Sequence, residues 1–477
     1  MEINAKKQRS SFTGKIGFVL AAAGSAVGLG NIWRFPYLAA KYGGGIFLLV
    51  YLVLALTFGF ALMTAEIAIG RKTGLSAIGA FQKLSKKFAF VGYLGALVPA
   101  LILPYYSVIG GWVIKYLFAF ATGGAKATAD GGAYFNNFIS SDAEPAMWFF
   151  LFLGATALIV LFGVEKGIEK VSKFMMPVLA VLAVAIAIYS CTLPGALKGV
   201  KYYFIPDFST FSFNTVLAAM GQLFYSMSLA MGIMITYGSY MKKEVSIESS
   251  VSQIEIFDTG IAFVAGLMVI PAIFSFTGAA PESPGPGLMF ISLPQVFANM
   301  GIVGYVVGTL FFLLVLLAAL TSSISLMETV VSIICDKFKI ERNLSCFVVF
   351  VVSMGLGMLS CFGYGDWANV KIIGMQFLDF FDFLTNSVIM PIIALFTCIV
   401  VGYVIKTKAI EDEVEECNAK FKRKILFRIV IKFVAPICII LILLSSIVGV
   451  YHEPITKALA GSIGLEKAEA IMRYFIV

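Results

Sequence analysis

The chain has 477 residues, of which 60% are hydrophobic and 13% are charged, and its formal net charge is +8. Soluble globular domains carry about 25% charged residues, so this composition is typical of a protein whose surface faces lipid. A single histidine, His452, and seven cysteines without CxxC spacing argue against a histidine-ligated metal centre, a Ser-His-Asp hydrolase and a disulfide framework.

A membrane-spanning helix needs about 20 consecutive, predominantly apolar residues. In chain order, the segments that meet this requirement are 16–38, 46–69, 89–120, 146–163, 172–193, 213–240, 254–277, 303–334, 345–362, 375–404 and 430–450. The residues after Tyr451 are amphipathic at best, so no twelfth span is expected. The sequence therefore predicts an all-α polytopic membrane protein with eleven spans, surrounded by lipid.

Lysine and arginine are concentrated before the first span and after the second, fourth, sixth, eighth and tenth spans. Because short cytoplasmic loops are enriched in these residues, we predict a multi-pass protein of the plasma (inner) membrane. Its N-terminus would be cytoplasmic and its C-terminus external. The net positive charge is explained by these loops, and it gives no reason to expect nucleic-acid binding.

The first and sixth predicted spans are interrupted near their middle. The interrupting residues are Gly24, Gly28, Gly30 and Pro36 in the first span and Ser226, Ser228 and Gly232 in the sixth. Glycine costs about 1 kcal/mol relative to alanine inside a helix, and unwound backbone at membrane depth is tolerated only where it is buried or lines a cavity. Two such breaks, five spans apart, indicate an inverted-repeat transporter with a binding site at mid-membrane. For the first span alone, tight helix packing is an alternative explanation.

Several motifs resemble those of the neurotransmitter:sodium symporter family, and they occur in the family order. The run GSAVGLGNIWRFP from Gly24 to Pro36 is similar to the first-span signature of the family. Further similar motifs are AEIAIGR at 65–71, the pair Tyr105-Tyr106, ITYGSY at 235–240 and LTSS at 320–323. The resemblance covers the first ten spans and points to the bacterial amino-acid transporter branch with eleven spans.

This resemblance implies a leucine-transporter-like fold, in which two inverted five-helix repeats with broken first and sixth helices are followed by one extra helix. The expected divisions are a cytoplasmic N-terminal segment 1–13, a first repeat 14–204, a second repeat 205–405, a basic cytoplasmic loop 406–429, an eleventh span 430–450 and an external tail 451–477.

The resemblance also implies two bound sodium ions. Sodium is a hard cation that prefers oxygen ligands; the first break offers Asn31, and the eighth span offers Thr321, Ser322 and Ser323. One site would use the Ala26 carbonyl, Asn31, Ser226, Asp258 and the carboxylate of the substrate. The other would use the carbonyls of Gly24, Val27 and Ala318 and the hydroxyls of Thr321 and Ser322. The alternative for Thr321 and Ser322 is a simple hydrogen bond to the preceding helical turn.

The substrate expected from the resemblance is an amino acid. Monoamine-transporting members carry an aspartate where Gly28 stands here, so the substrate must bring its own carboxylate. The expected substrate-binding residues are Ala26, Gly28, Leu29, Gly30, Ile102, Tyr106, Tyr225, Ser226, Ser228, Met231, Ser322 and Leu326. Because this wall is largely apolar, a hydrophobic aliphatic or aromatic side chain is expected. Met231, where relatives often have phenylalanine, favours larger or several substrates.

Two gates are expected from the resemblance. Charged residues inside a span cost about 2.5–3.5 kcal/mol on insertion scales, which favours a functional role for them. The expected outer gate is Arg34 with Asp382, and the expected inner gate is Arg9 with Asp336, assisted by Tyr240 and Glu328. Asp379 competes with Asp382 as the partner of Arg34, and Arg9 could equally be a topology signal. At Phe12 relatives often have tryptophan.

Asp258 departs from the chloride-dependent members, which have a neutral asparagine at this position. Those members bind chloride among residues that match Tyr51, Gln222, Ser226 and Ala262. A fixed carboxylate would supply the negative charge that chloride otherwise supplies, so chloride-independent transport is predicted. A structural hydrogen-bonding role for Asp258 is the alternative.

The function predicted from these features is sodium-coupled symport of a hydrophobic amino acid into the cell by alternating access. A sodium-independent or proton-coupled amino-acid exchanger of the same fold is the alternative. A channel would need rings of like groups along a pore, and the sequence contains no repeated filter motif. An enzyme is not expected, because no nucleophile elbow or phosphate-binding loop is present.

Overall fold

The computed structural model describes residues 11–130, 132–281 and 285–450 of the chain, and within these ranges the regular secondary structure is helical, with no β-strand. The predicted positions Arg9 and 451–477 lie outside the described residues. The all-α prediction is confirmed.

The spans follow one another in the predicted order. They are span 1, Lys15–Ala26 with Gly30–Lys41; span 2, Gly45–Thr73; span 3, Lys86–Ala121; span 4, Ala143–Leu161; span 5, Val164–Thr192; span 6, Phe213–Ser226 with Ile233–Gly238; span 7, Ile247–Thr277; span 8, Ile302–Phe338; span 9, Arg342–Phe362; span 10, Phe377–Val404; and span 11, Lys424–Ser446. Shorter helices between them are Ala77–Leu84, Ala133–Ile139, Ala196–Phe204, Leu288–Asn299 and Lys406–Val414.

In the described part of the chain, nine helices are long and apolar enough to cross a membrane, and the two halves of span 1 form a tenth such element with a bend of 54°. Span 6 consists of two short helices of 14 and 6 residues, neither of which could cross a bilayer alone. The prediction of a multi-pass helical membrane protein is confirmed.

Spans 1 and 6 lie at the centre of the helical assembly. Span 1 packs against spans 5, 7 and 8, and the two halves of span 6 pack against span 2. Span 3 makes its most extensive contact with span 8 and also packs against spans 4 and 9. The two broken helices are therefore enclosed by unbroken ones, which keeps their unpaired backbone groups away from lipid.

Two glycines explain how span 6 approaches span 2 so closely. A Cβ on Gly70 would lie 1.9 Å from the carbonyl oxygen of Ile235, and a Cβ on Gly238 would lie 2.3 Å from that of Ile67. The two backbones thus touch through reciprocal glycines, because any side chain would separate them. These glycines belong to the AEIAIGR and ITYGSY motifs, so close packing of the two helices explains why glycine stands at one position of each motif.

The basic ends of several spans meet on one face of the molecule. The Lys242 ammonium donates to the carbonyl oxygen of Thr13 at 3.0 Å, which joins the end of span 6 to the start of span 1. The Arg71 guanidinium, at the end of span 2, donates to the carbonyl oxygen of Val245 at 2.7 Å, just before span 7. This arrangement agrees with spans that alternate in direction; which side of the membrane the face occupies remains a prediction.

Candidate functional site

The break in span 1 exposes backbone groups in the middle of the molecule. The first helix stops at Ala26, Val27 has an extended conformation (φ −73°, ψ 99°), and the helix resumes at Gly30. The Asn31 side chain spans the break, since its Oδ1 accepts a hydrogen bond from the Gly28 amide at 3.1 Å. The break therefore has a defined geometry and does not depend on glycine content alone.

The break in span 6 covers residues 227–232 and has a strained backbone. Ser228 (φ 52°) and Ala230 (φ 59°) adopt left-handed conformations, as does Gly232 (φ 69°). Non-glycine residues in this region cost about 1–3 kcal/mol each and cluster at functional sites. Glu66 of span 2 stabilises the segment, because its Oε1 accepts a hydrogen bond from the Ala230 amide at 2.7 Å. The prediction that spans 1 and 6 are both broken is confirmed.

A cavity of about 350 Å³ lies between the two breaks. Its wall consists of Ser25, Ala26, Gly28, Leu29, Gly30, Ile102, Tyr106, Tyr225, Ser228, Met231, Ile233, Ser322 and Leu326. These are the residues expected from the sequence, except that Ser226 does not line the cavity and that Ser25 and Ile233 do. None of the described side chains in this wall carries a charge.

Ser25 was not indicated by the sequence, although it connects the two breaks directly. The Ser228 hydroxyl donates to the Ser25 carbonyl oxygen at 2.9 Å, and the two hydroxyl oxygens lie 3.2 Å apart. Its position between Gly24 and Ala26 in the glycine-rich run was the available signal.

Polar groups on one side of the cavity come from three spans. The Tyr106 hydroxyl accepts a hydrogen bond from the Leu29 amide at 3.4 Å. A Cβ on Gly28 would lie 2.7 Å from the Ser322 hydroxyl oxygen and 3.2 Å from that of Tyr106, so the absence of a side chain there keeps this space open. The Leu29 and Gly30 amides lie at the start of a helix, where the dipole favours negative charge.

A first cluster of oxygen atoms surrounds Asp258, which is fully buried in span 7. The Asp258 carboxylate accepts hydrogen bonds from Asn31 Nδ2 at 2.7 Å, from the Ser226 hydroxyl at 2.8 and 3.0 Å, and from the Tyr51 hydroxyl at 3.4 Å. Asn31 and Ser226 are themselves joined at 3.0 Å. The structure therefore brings together three side chains that the sequence placed in one sodium site.

Gln222, the remaining polar member of the set that matches the family chloride site, has a different partner. Its Nε2 donates to the Gly30 carbonyl oxygen at 3.0 Å, which joins the first half of span 6 to the second half of span 1. Its contact is thus with backbone and not with Asp258.

A second cluster of oxygen atoms forms where span 8 meets the break in span 1. The Ser322 hydroxyl lies 3.1 Å from the carbonyl oxygen of Ser25 and 3.4 Å from those of Gly24 and Val27. These are three carbonyls of the unwound end of one helix, all directed at one side chain of another. The contacts of the Ser322 hydroxyl thus reach span 1, in contrast to the alternative of a bond to the preceding turn of its own helix.

Thr321 lies beside this cluster but bonds within span 8. Its hydroxyl donates to the carbonyl oxygens of Ala318 at 3.0 Å and Leu317 at 3.1 Å, as the alternative interpretation of this residue expected. A Cβ on Gly24 would lie 3.2 Å from Thr321 Cβ, which shows how closely the two backbones approach. The lone pairs of the Thr321 hydroxyl remain free to face a cation while its proton is donated to the helix.

A second, larger cavity of about 1670 Å³ adjoins the first, and Tyr225 belongs to both walls. Arg34 and Asp382 line it, but they form no ion pair within 4.0 Å in the described part of the chain. The Arg34 guanidinium carbon instead lies 5.7 Å from the centre of the Tyr225 ring. The two residues are therefore unpaired with each other in this conformation, and their predicted role as an outer gate stays a prediction.

Asp382 has other partners, which the sequence did not indicate. Its Oδ1 accepts hydrogen bonds from Asn386 Nδ2 at 2.6 Å and from the Tyr105 hydroxyl at 3.1 Å. Asp379 lines the same cavity. An Arg34–Asp382 ion pair would therefore have to share the Asp382 carboxylate with Asn386 and Tyr105.

The opposite end of span 1 is closed by packed aromatic rings. Phe12 is buried, its amide donates to the Tyr240 carbonyl oxygen at 3.1 Å, and its ring contacts those of Phe18, Tyr237 and Tyr240. Phenylalanine fills this position completely, so the departure from tryptophan leaves no gap in the closed end.

Tyr240 and Glu328, which were expected to assist the inner gate, lie at this aromatic cluster. The Tyr240 hydroxyl donates to Glu328 Oε1 at 2.8 Å, and the buried Glu328 carboxylate pairs with Arg342 at 2.5 Å. Arg342 begins span 9 and was not indicated by the sequence. Asp336 accepts a hydrogen bond from the Ser76 amide at 2.9 Å; its predicted partner, Arg9, lies outside the described residues.

Comparisons with known proteins agree with this architecture. Residues 9–127 and 135–458 match the family model of the Sodium:neurotransmitter symporter family. The chain is 35% identical over 442 residues to an uncharacterized sodium-dependent transporter of Bacillus subtilis, covering 91% of this chain and 96% of the relative. It is 33% identical over 456 residues to an uncharacterized sodium-dependent transporter of Haemophilus influenzae, covering 92% and 99% of the two chains.

A solved structure is also similar. The crystal structure of MhsT in complex with L-phenylalanine superposes with a TM-score of 0.84 at 38% sequence identity, and the match covers 92% of this chain and all of MhsT. These matches do not agree with a sodium-independent exchanger or an enzyme. They confirm the leucine-transporter-like fold, and the chain therefore belongs to the sodium:neurotransmitter symporter family and is a sodium-dependent transporter.

Proposed function

We propose that this transporter couples the entry of two sodium ions to the uptake of one hydrophobic amino acid into the cell, by alternating access and without chloride. The observation that carries the proposal is the uncharged cavity between two broken helices, with an oxygen cluster on each side of it. Such a cavity can hold a zwitterion only if other groups neutralise its two charges. Sodium and the backbone groups of the breaks would do so.

The polar end of the substrate is expected to lie against the second half of span 1. Its carboxylate would meet the amides of Leu29 and Gly30 at the positive end of a helix, together with the Tyr106 hydroxyl. Its ammonium group would meet carbonyl oxygens that the breaks leave without helical partners. Because Gly28 has no side chain, the wall lacks a carboxylate at this position. A substrate amine without an acid group of its own would need such a carboxylate as its partner.

The opposite side of the cavity is apolar and suits a large hydrophobic side chain. Ile102, Met231, Ile233 and Leu326 face it, together with the rings of two tyrosines. Methionine is flexible and adapts to ligands of different shape. The similar structure of MhsT holds L-phenylalanine, which supports an aromatic or large aliphatic amino acid as substrate here.

The two oxygen clusters supply ligands for two sodium ions. The first would offer the Ala26 carbonyl and the side chains of Asn31, Ser226 and Asp258. The second would offer the carbonyls of Gly24, Val27 and Ala318 with the hydroxyls of Thr321 and Ser322. At about 100 mV and a roughly tenfold gradient, two ions supply about 7 kcal/mol, enough for about 10⁵-fold accumulation of a zwitterion.

Chloride independence is inferred from the partners of Asp258. The hydroxyls of Tyr51 and Ser226, which match chloride ligands in relatives, both donate to this carboxylate. A fixed negative charge already occupies the centre of these donors, so a mobile anion would be repelled from it.

The test is uptake by the purified protein reconstituted in proteoliposomes. With an inward sodium gradient we expect accumulation of radiolabelled L-phenylalanine that disappears in choline buffer or after a sodium ionophore, and that is unchanged when gluconate replaces chloride. Competition by each of the twenty amino acids defines the substrate range. Parallel labelled-sodium influx should give two ions per substrate. Uptake without sodium, loss of uptake in gluconate, or no competition by hydrophobic amino acids would each contradict the corresponding part of the proposal.

A further inference from the structure

Arg423, in the connection between spans 10 and 11, contacts two spans at once. Its side chain is only 25% exposed although it lies outside the helices. The connection contains several other basic residues, but Arg423 is directed inward, between span 2 and span 7. Both spans contribute to the surroundings of Asp258, so the contacts of this arginine bear on the proposed cation site.

The contacts with span 7 are ionic and include a buried carboxylate. Both terminal nitrogens of the guanidinium group lie 3.2 Å from Glu255 Oε2, and one of them donates to the Ser252 hydroxyl at 2.6 Å. The Arg423 amide donates to Glu248 Oε1 at 3.1 Å. The Glu255 side chain is 3% exposed. A carboxylate this buried needs a partner, and Arg423 supplies one.

The contacts with span 2 involve backbone and an aromatic ring. The guanidinium group donates to the Leu56 carbonyl oxygen at 3.4 Å, within the π-helical turn Ala55–Gly59. Its central carbon lies 3.3 Å from the centre of the Phe60 ring, in stacking contact. One planar cation therefore joins the two helices: its terminal nitrogens donate to groups of both spans, and its face stacks on Phe60.

The joined helices meet again close by, at Asp258. Glu255 precedes Asp258 by three residues, about 4.5 Å along span 7, and Tyr51 precedes Leu56 by five residues, about 7.5 Å along span 2. The Tyr51 hydroxyl donates to Asp258 Oδ2 at 3.4 Å. We call the contacts of Arg423 with spans 2 and 7 the Arg423 clamp. The clamp thus lies one to two turns from the Tyr51–Asp258 contact between the same two helices.

We propose that Arg423 is a positioning residue for the cation site: it holds spans 2 and 7 at the spacing at which Tyr51 and Asp258 meet. This inference rests on the proposed role of Asp258 as a sodium ligand. Arginine suits the task because its fork has five donors in a fixed plane, whereas lysine concentrates its charge and donors at one point.

The direction of the change in sodium affinity distinguishes a positioning role of Arg423 from an effect of its charge. On Coulombic grounds alone, removing a positive charge near a cation site tightens sodium binding. Loss of the clamp should weaken sodium binding, because Tyr51 and Asp258 are then no longer held at the spacing that the ion requires. R423K keeps the charge and loses the fork, and the double variant R423Q/E255Q removes both charges of the pair and leaves the net charge unchanged.

The measurement is the sodium concentration that gives half-maximal stabilisation of the purified full-length protein against thermal unfolding, with choline keeping the ionic strength constant. No substrate is required. We expect R423K and R423Q/E255Q to raise this concentration by about three- to tenfold, the range for one or two net hydrogen bonds. K420Q, at an exposed lysine of the same connection, is the matched control and should leave it unchanged.

An unchanged or lower sodium concentration in the double variant would overturn the proposal, and so would a lower unfolding temperature without any change in sodium dependence. An equal shift in K420Q would also overturn it, because the effect would then come from the charge of the connection. D258N is measured in parallel. If D258N leaves the sodium dependence unchanged, the assignment of Asp258 fails; if D258N weakens sodium binding and the Arg423 variants do not, only the clamp is refuted.

Discussion

Replacement of Thr321 by valine tests the second sodium site directly. The two side chains have nearly the same shape, and Thr321 is buried at 2% exposure, so the packing of span 8 is retained. The hydroxyl donates only to carbonyls of its own helix, which already accept backbone hydrogen bonds. T321V should therefore cost the fold little. It removes one oxygen from a proposed set of five sodium ligands.

The magnitude follows from the charge of the ion. A hydrogen-bonding or ligand contact to a charged group contributes about 1.5–3 kcal/mol, so T321V should raise the sodium concentration for half-maximal uptake by about 10- to 150-fold. The assay is the initial rate of labelled L-phenylalanine uptake into proteoliposomes, over a range of sodium–choline mixtures at constant chloride. At saturating sodium, much of the maximal rate should return.

Thr329 provides a matched control in the same helix. It is also buried, its hydroxyl donates to the Ser325 carbonyl oxygen at 2.8 Å, and it lies about 12 Å further along the helix axis. T329V repeats the chemistry of T321V away from the oxygen cluster and should leave the sodium dependence unchanged. If the two variants behave alike, the hydroxyl of Thr321 serves only its own helix and the second site is wrongly assigned.

Three further substitutions address the anion, the cavity and the substrate range. D258N removes the fixed carboxylate, so its uptake should fall in gluconate and recover in chloride; equal rates in both salts would contradict the charge argument. A Cβ at Gly30 would lie 2.3 Å from the Tyr225 ring. G30A should therefore displace the tyrosine and raise the substrate KM about tenfold through overpacking. An unchanged KM would show that the ring can move freely. M231F narrows the apolar side of the cavity and should weaken competition by tryptophan relative to valine by about 10-fold or more; parallel losses for both amino acids would argue against a role in selectivity.

Much of the fold and of the site was accessible from local sequence patterns. Apolar segment length marked the spans, because a bilayer requires about 20 apolar residues for each crossing. Glycine and serine spacing marked the breaks in spans 1 and 6, because helix interiors normally exclude such clusters. The GLGNIWRFP run then indicated which residues would meet, and the cavity wall contains the expected residues apart from Ser226, with Ser25 and Ile233 added.

Other features depended on contacts between side chains of different helices or loops, and local patterns carry no information about these. Glu328 pairs with Arg342 because spans 8 and 9 place them together, and Arg423 reaches Glu255 across 168 residues. Arg34 lies over the Tyr225 ring, and its predicted pairing with Asp382 depends on how spans 1, 6 and 10 pack. The sequence by itself thus determined the spans, the breaks and the family. The tertiary structure decided which polar groups lie together and which partners the charged residues have, because burial and pairing arise only when distant helices pack.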